Sequence, residues 1–201
     1  MTRRIASTKS DAASLLERLS PEEALAVLHQ VLDQHPELRS EAEQFATDLV
    51  SSPSSEDIAQ EVHDRITGVD LEALNGRAGA HSWGYVEPSE AATELLEEEV
   101  EDMVEDMKRK GELGLMSAAE VVCAGIVDGL YRARDTKSDG ALGWAVDFPT
   151  EEADHVVSEF VRSCPQSGRV SAQTHLLAVL AGRAPEWAEG LKRAAERAVR
   201  K

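Results

Sequence analysis

Residues 93–111, TELLEEEVEDMVEDMKRKG, carry eight carboxylates before the first positive charge. Carboxylates at that density form an acidic tail, a row of metal ligands, or one face of a helix. Stepping 100° per residue along a helix from Ser89 to Lys110 separates them. Glu94, Glu97, Glu98, Glu101, Asp102 and Glu105 fall on one side and read as a solvated face. Ala92, Leu96, Val100, Met103, Val104 and Met107 form a stripe on the other, with Leu95 at its edge. Two acids break the division. Glu99 and Asp106 project onto the apolar flank between Leu95 and Met103. A carboxylate there needs a partner, because burying it unpaired is costly. An arginine from a neighbouring helix is the expected partner, with a metal or ligand as the alternative. Glu99 and Asp106 are therefore binding candidates. On the same helix, spacing pairs Glu105 with Arg109 and Asp106 with Lys110, and Gly111 suits a stop.

Other carboxylates are spaced in ways that partly match known chemistry. Glu98-x-x-Glu101 with Glu151-x-x-Asp154 faintly resembles the magnesium site of all-helical nucleoside-triphosphate pyrophosphatases, where several carboxylates hold Mg²⁺ against a triphosphate. The gap between the two halves is far longer than that family uses, and Glu98 and Glu101 lie on the outer face of their helix. Glu152-x-x-His155 is a single Glu-x-x-His element, where di-iron bundles need two and further glutamates. Asp135, Asp139 and Gly140 match part of a calcium loop, but Lys137 and Val146 occupy positions that need ligands. His63-Asp64 is similar to the metal-binding dipeptide of some helical phosphohydrolases, without converging partners downstream. No phosphate loop, nucleophile elbow or catalytic Cys/His pair is present. Cys123 and Cys164 form no CxxC motif, and Cys123 in EVVCAGIV reads as a small hydrophobe. The sequence assigns no catalytic residue, no metal ligand and no cofactor.

Three aromatics and one further acid complete the candidate set. Trp83 and Tyr85 lie in a glycine-containing segment, residues 75–88, that reads as a long loop. They either serve binding or plug the loop onto the core; plugging is favoured because large aromatics are usually highly buried. Trp144 lies in a second loop. Asp128 is the one acid in the middle of an apolar helix, with Arg132 one turn on.

The elements that must position these residues read as helix after helix. Ser20, Pro21 and Glu23 form a capping box before the Leu25, Leu28, Leu32 stripe. Ile58, Val62 and Ile66 mark another helix. Residues 116–135, MSAAEVVCAGIVDGLYRARD, are apolar almost all round, which places this helix centrally. A second capping box, Ser117 with Glu120, is expected to open it. Gly125 and Gly129 share one of its faces. Each costs about 1 kcal/mol relative to Ala, which close approach of another backbone justifies. Thr150 is the expected cap of a helix whose core side is Val156, Val157, Phe160 and Val161. The last ten residues carry five basic groups and one acid.

The whole chain has 201 residues and a formal net charge of −17. That balance argues against nucleic acid, whose binding relies on Lys and Arg neutralising phosphates, and against an anionic membrane surface. It fits an acidic surface that simply keeps the protein soluble, which is the favoured reading, and alternatively basic partners. No apolar run is long enough to span a membrane, and the first residues lack a secretory apolar segment. Residues 1–10 read as a disordered start, and 11–201 as one helical domain or two subdomains meeting at the 75–88 loop.

Residues 70–163 resemble a helical region of uncharacterised bacterial proteins, including those with an N-terminal SWIM-type zinc finger. The likeness rests on layout: WGYVEPSEAA, then ELLEEEVEDMVEDMKRKGELGL, then AAEVVCAGIVDGLYRARD and an Asp-Gly loop. The finger itself is absent. The resemblance implies a helical, interaction-type protein and no catalytic residue.

The expectation is an all-α protein of antiparallel helix pairs, in a short HEAT- or TPR-like solenoid or an irregular bundle. It is expected to be a cytoplasmic, non-catalytic interaction scaffold or adaptor with a basic protein partner. The enzyme alternative is a metal-dependent nucleotide phosphohydrolase using helix-borne carboxylates. A third reading is a structural subunit of an assembly.

Overall fold

The computed structural model describes residue 16 and residues 19–50, 54–82 and 84–200. Among these residues the chain is all-α, with ten α-helices and one two-stranded hairpin. It divides into two compact units between Asp48 and Leu49. Residues 75–88 lie inside the second unit.

The first unit holds α1 (Pro21–Gln34) and most of α2 (Arg39–Val50). The capping box at Ser20 is present: Glu23 N–H donates to Ser20 Oγ at 3.2 Å, and Ser20 N–H donates to Glu23 Oε2 at 2.9 Å. His35, whose backbone leaves the helical region before Pro36, ends α1. No residue of α1 is buried, and Leu25, Val27, Leu28 and Val31 of its apolar stripe are exposed.

The second unit starts with α3 (Ser55–Gly68), capped by Ser54, and α4 (Leu71–Arg77), capped by Asp70. The segment read as a loop is instead structured. The end of α4 occupies its first residues, then β1 (Gly79–His81) pairs antiparallel with β2 (Gly84–Val86). After it come α5 (Pro88–Glu112), α6 (Met116–Ala133), α7 (Ala141–Trp144), α8 (Phe148–Ser163), α9 (Arg169–Arg183) and α10 (Ala188–Val199).

Helix α6 is the centre of the unit. Twelve of its residues are buried, and it packs on α3, α5, α8 and α9. The two glycines explain its closest contact. A Cβ at Gly129 would lie 2.6 Å from the Ala59 carbonyl oxygen, and one at Gly125 2.7 Å from Ile58 Cβ. The backbone of α6 therefore lies directly against α3, as the sequence implied.

Two helix starts differ from expectation. Helix α6 begins without a side-chain cap. The end of α5 closes in a Schellman motif, with Leu115 N–H donating to the Lys110 carbonyl at 2.9 Å and Gly114 N–H to Gly111 at 3.0 Å. Gly114, at φ +77°, takes the left-handed position, so Gly114 rather than Gly111 is the stop. Gly111 stays inside the helix, against Ser163. Only one residue then separates Gly114 from α6, so Ser117 falls inside the helix and caps nothing. Helix α8 begins at Phe148, with Pro149 in its first turn, so Thr150 is also inside rather than at the cap. Cys123 and Cys164 are buried free thiols, and burial pushes the Cys123 thiol well up.

Candidate functional site

Helix α5 buries Ala92, Leu96, Val100, Val104 and Met107 as its wheel requires, with Leu95 and Met103 at the margin. Helix α8 buries Ala153, Val156, Val157, Phe160 and Val161. The two helices pack together, and beside the contact their polar edges enclose a groove of about 720 Å³. Glu94, Glu97, Glu98, Glu101 and Glu105 of α5 form one wall. Their spacing of three or four residues keeps them on one face over about 16 Å at 1.5 Å per residue. Glu151, Glu152, His155 and Glu159 of α8 form the other. Val104 and Phe148 contribute apolar surface.

The groove holds eight glutamates against two cations, Arg77 and Lys108. Arg77 of α4 makes a two-pronged contact with Glu98 at 2.7 and 3.1 Å and reaches Glu94 at 3.5 Å. Lys108 donates to Glu105 at 2.6 Å, and Arg162, from the next turn of α8, pairs with Glu159. Four glutamates are left: among the described residues no cation lies within bonding distance of Glu97, Glu101, Glu151 or Glu152. Glu152 is the unusual one. It is only 8% exposed yet lines the groove. Burial, then the charge of Glu97, pushes its carboxyl up to about 7.

Such a surface accepts hydrogen bonds and attracts positive charge; ionised carboxylates have nothing to donate. It is not arranged as a metal cage. Among the described residues, no group of three or more His, Cys, Asp or Glu side chains is placed to hold a metal ion. Of the pyrophosphatase-like set, Glu98, Glu101 and Glu151 reach the groove, whereas Asp154 turns to Arg197 at 3.4 Å.

The residues singled out in the sequence lie elsewhere. Asp106 pairs with Lys110, whose side chain is buried, so its partner is on its own helix and not an arginine of a neighbour. The Glu99 carboxylate has no bonded partner among the described residues; its backbone carbonyl accepts from Arg65 at 3.1 Å. Arg65 also takes Asp102 at 2.8 Å, so that acid is paired. Glu105 pairs with Lys108 and not with Arg109. Asp128 is buried and accepts from Arg132 at 2.9 and 3.1 Å and from Arg183 at 3.4 Å. With Glu56 on Arg132 and Ser55 on Arg183, this network ties α3, α6 and α9. Tyr85 and Trp144 are exposed, so Tyr85 does not plug onto the core. Trp83 lies outside the described residues.

Sequence reasoning joined Glu151 to Glu98 and Glu101 only through the pyrophosphatase-like pattern, and missed Glu97, Glu152 and Glu159 as members of one site. A signal for Glu152 was present: it lies one turn before Val156 and so on the buried stripe of α8. Only that faint pattern set α8 opposite the acidic face of α5, with a gap unlike the family's.

No family model matches the chain, and no curated protein or solved structure matches it either.

Proposed function

We propose that this protein is a non-catalytic helical interaction scaffold or adaptor whose α5–α8 groove takes a basic segment of a partner protein in the cytoplasm. The observation that carries the reading is the groove's charge: eight glutamates against Arg77 and Lys108, four of them without a cation. A walled acidic cleft focuses field on a cationic ligand and speeds its arrival. Its length, about 16 Å along α5, suits about five residues of extended chain. The layout-level resemblance to an interaction-type helical region points the same way.

The enzyme alternative has one observation in its favour, since Glu98, Glu101 and Glu151 share the groove. Against it stand the pairing of Glu98 with Arg77 and the lack of a metal-holding group among the described residues.

Fluorescence anisotropy with labelled hexalysine tests the proposal. Reversing Glu97 and Glu101 to lysine is expected to weaken binding at least about tenfold, the cost of roughly 1.4 kcal/mol. Reversing Glu41 and Glu43, exposed on α2, removes the same formal charge and is expected to leave most of the affinity. Equal losses in the two variants would mean that the peptide sees only net charge, and the groove would not be the site.

A further inference from the structure

Within the groove, one carboxylate differs from the rest, and its difference rests on geometry. Seven of the glutamates are exposed or sit at the margin, where water solvates them. Glu152 is 8% exposed, has no bonded partner among the described residues, and lines the groove beside Phe148. Its oxygens reach water only through the groove, since among the described residues no fully buried side-chain oxygen lacks a partner, and a carboxylate so largely desolvated and unpaired is costly to ionise. The fold keeps it just past the first turn of α8, between the buried residues Pro149 and Val156.

We propose, resting on the reading of the groove as a docking site for a basic segment, that Glu152 is its anchor. A lysine ammonium of the partner seats on the Glu152 carboxylate and releases the proton that the carboxyl carries in the free protein to bulk water. Glu97 is close enough for its charge to act on Glu152, so the two carboxylates face one cation, and an ammonium's three donors can serve both. The aliphatic stem of lysine lies along apolar surface while its head meets the charge; Val104 and Phe148 supply that surface.

The charged groups around Glu152 come from three helices. Helix α5 contributes Glu94, Glu97, Glu98, Glu101, Glu105 and Lys108; α4 contributes Arg77; α8 itself contributes Glu151, His155 and Glu159. Helices α6, α9 and α10 also pack on α8. Among the described residues their ionic contacts are Arg197 with Asp154, Glu120 with His175, Arg132 with Glu56, and Asp128 with Arg132 and Arg183, none of which lines the groove. Every charge the groove offers except Arg77, Lys108 and a protonated His155 opposes ionisation of Glu152. An incoming cation reverses that balance.

The sign follows directly. With the carboxyl at about 7 in the free protein, roughly a tenth is ionised at pH 6 and nine-tenths at pH 8. Affinity for hexalysine should therefore rise about tenfold from pH 6 to pH 8, with about half a proton released per peptide bound at pH 7.

Isothermal titration calorimetry of the full chain with hexalysine, in two buffers of different ionisation enthalpy, measures both quantities. Glu152→Gln should flatten the pH dependence and abolish the proton release. Histidine also changes charge in this window, so His155→Asn is the control and should keep at least half of both effects. Hexalysine acetylated at every Nε should not bind. Groove-dependent binding that is flat in pH and releases no proton overturns the anchor while leaving the docking site intact. So does a proton release that survives in Glu152→Gln. Binding that fails to distinguish groove from α2 charge reversals removes the docking site and the anchor with it.

Discussion

At the scale of single residues, the acids among the described residues differ sharply in their surroundings. Asp102, Glu98, Glu105 and Asp128 each face a cation, whereas Glu152 is buried among carboxylates. Its raised carboxyl is a statement about stability. In the unfolded chain an ordinary glutamate loses its proton near pH 4.5; in the folded chain Glu152 holds it to about 7. Between those values the native state binds the extra proton, so stability falls as pH rises through the interval and is level above it. The full shift would correspond to roughly 3 kcal/mol at 1.36 kcal/mol per unit. Glutamine keeps the shape without the charge. Urea denaturation should find Glu152→Gln close to wild type at pH 4.5 and more stable than wild type, on the order of 2 kcal/mol, at pH 8. The difference between the two proteins is the quantity to follow, because the other carboxylates titrate in both. A constant difference across that range would show that Glu152 is ionised in the fold and matched by something other than its proton.

At the scale of elements, the sequence was most legible where one helix speaks for itself. The wheel of α5, the central burial of α6 and the capping box of α1 depend on local spacing, and all three appear as read. Legibility failed where a neighbour decided the outcome. The expected cap at Ser117 gave way because the Schellman turn at Gly114 leaves no room for one, and Glu120 goes instead to His175. The strands of the hairpin are three residues each, too short for a period of two to register. The groove needed the pairing of α5 with α8, whose acids lie some fifty positions apart, and no local pattern encodes that. The glycines of α6 are the case where a local cost revealed a distant contact. Alanine at Gly129 or Gly125 gains about 1 kcal/mol of helix propensity, yet its Cβ would stand 2.6 or 2.7 Å from α3. Overpacking at such a site costs about 1–3 kcal/mol, and more where backbone must move. Both substitutions should lower the urea midpoint. Gly182→Ala in α9, with nothing within 4 Å of the new methyl, should raise it slightly. If the α6 variants were also stabilised, the two helices would have room that these distances deny.

At the scale of the whole molecule, charge is the property that unites the fold with its proposed use. Acidic residues outnumber basic ones 38 to 21, so the folded chain repels itself, and the groove concentrates that repulsion. Two opposing effects of salt follow. Screening weakens the ion pairs on the surface, among them Arg65 with Asp102 and Arg77 with Glu98; such exposed pairs are each worth about 0–1 kcal/mol. Screening also relieves the repulsion among the excess acids, which no pairing offsets. The excess decides the sign for folding, since acids outnumber bases by seventeen. Raising NaCl from about 0.05 to 0.5 M shortens the screening length from about 14 to 4 Å. The thermal midpoint followed by circular dichroism should then rise. The same change should weaken hexalysine binding, because attraction across the groove is screened as well. Opposite responses of stability and binding to one variable would identify like-charge strain held in the native state as the source of the groove's attraction. A midpoint that falls with salt would show the ion pairs to dominate, and the groove's glutamates would then be better compensated than their contacts indicate.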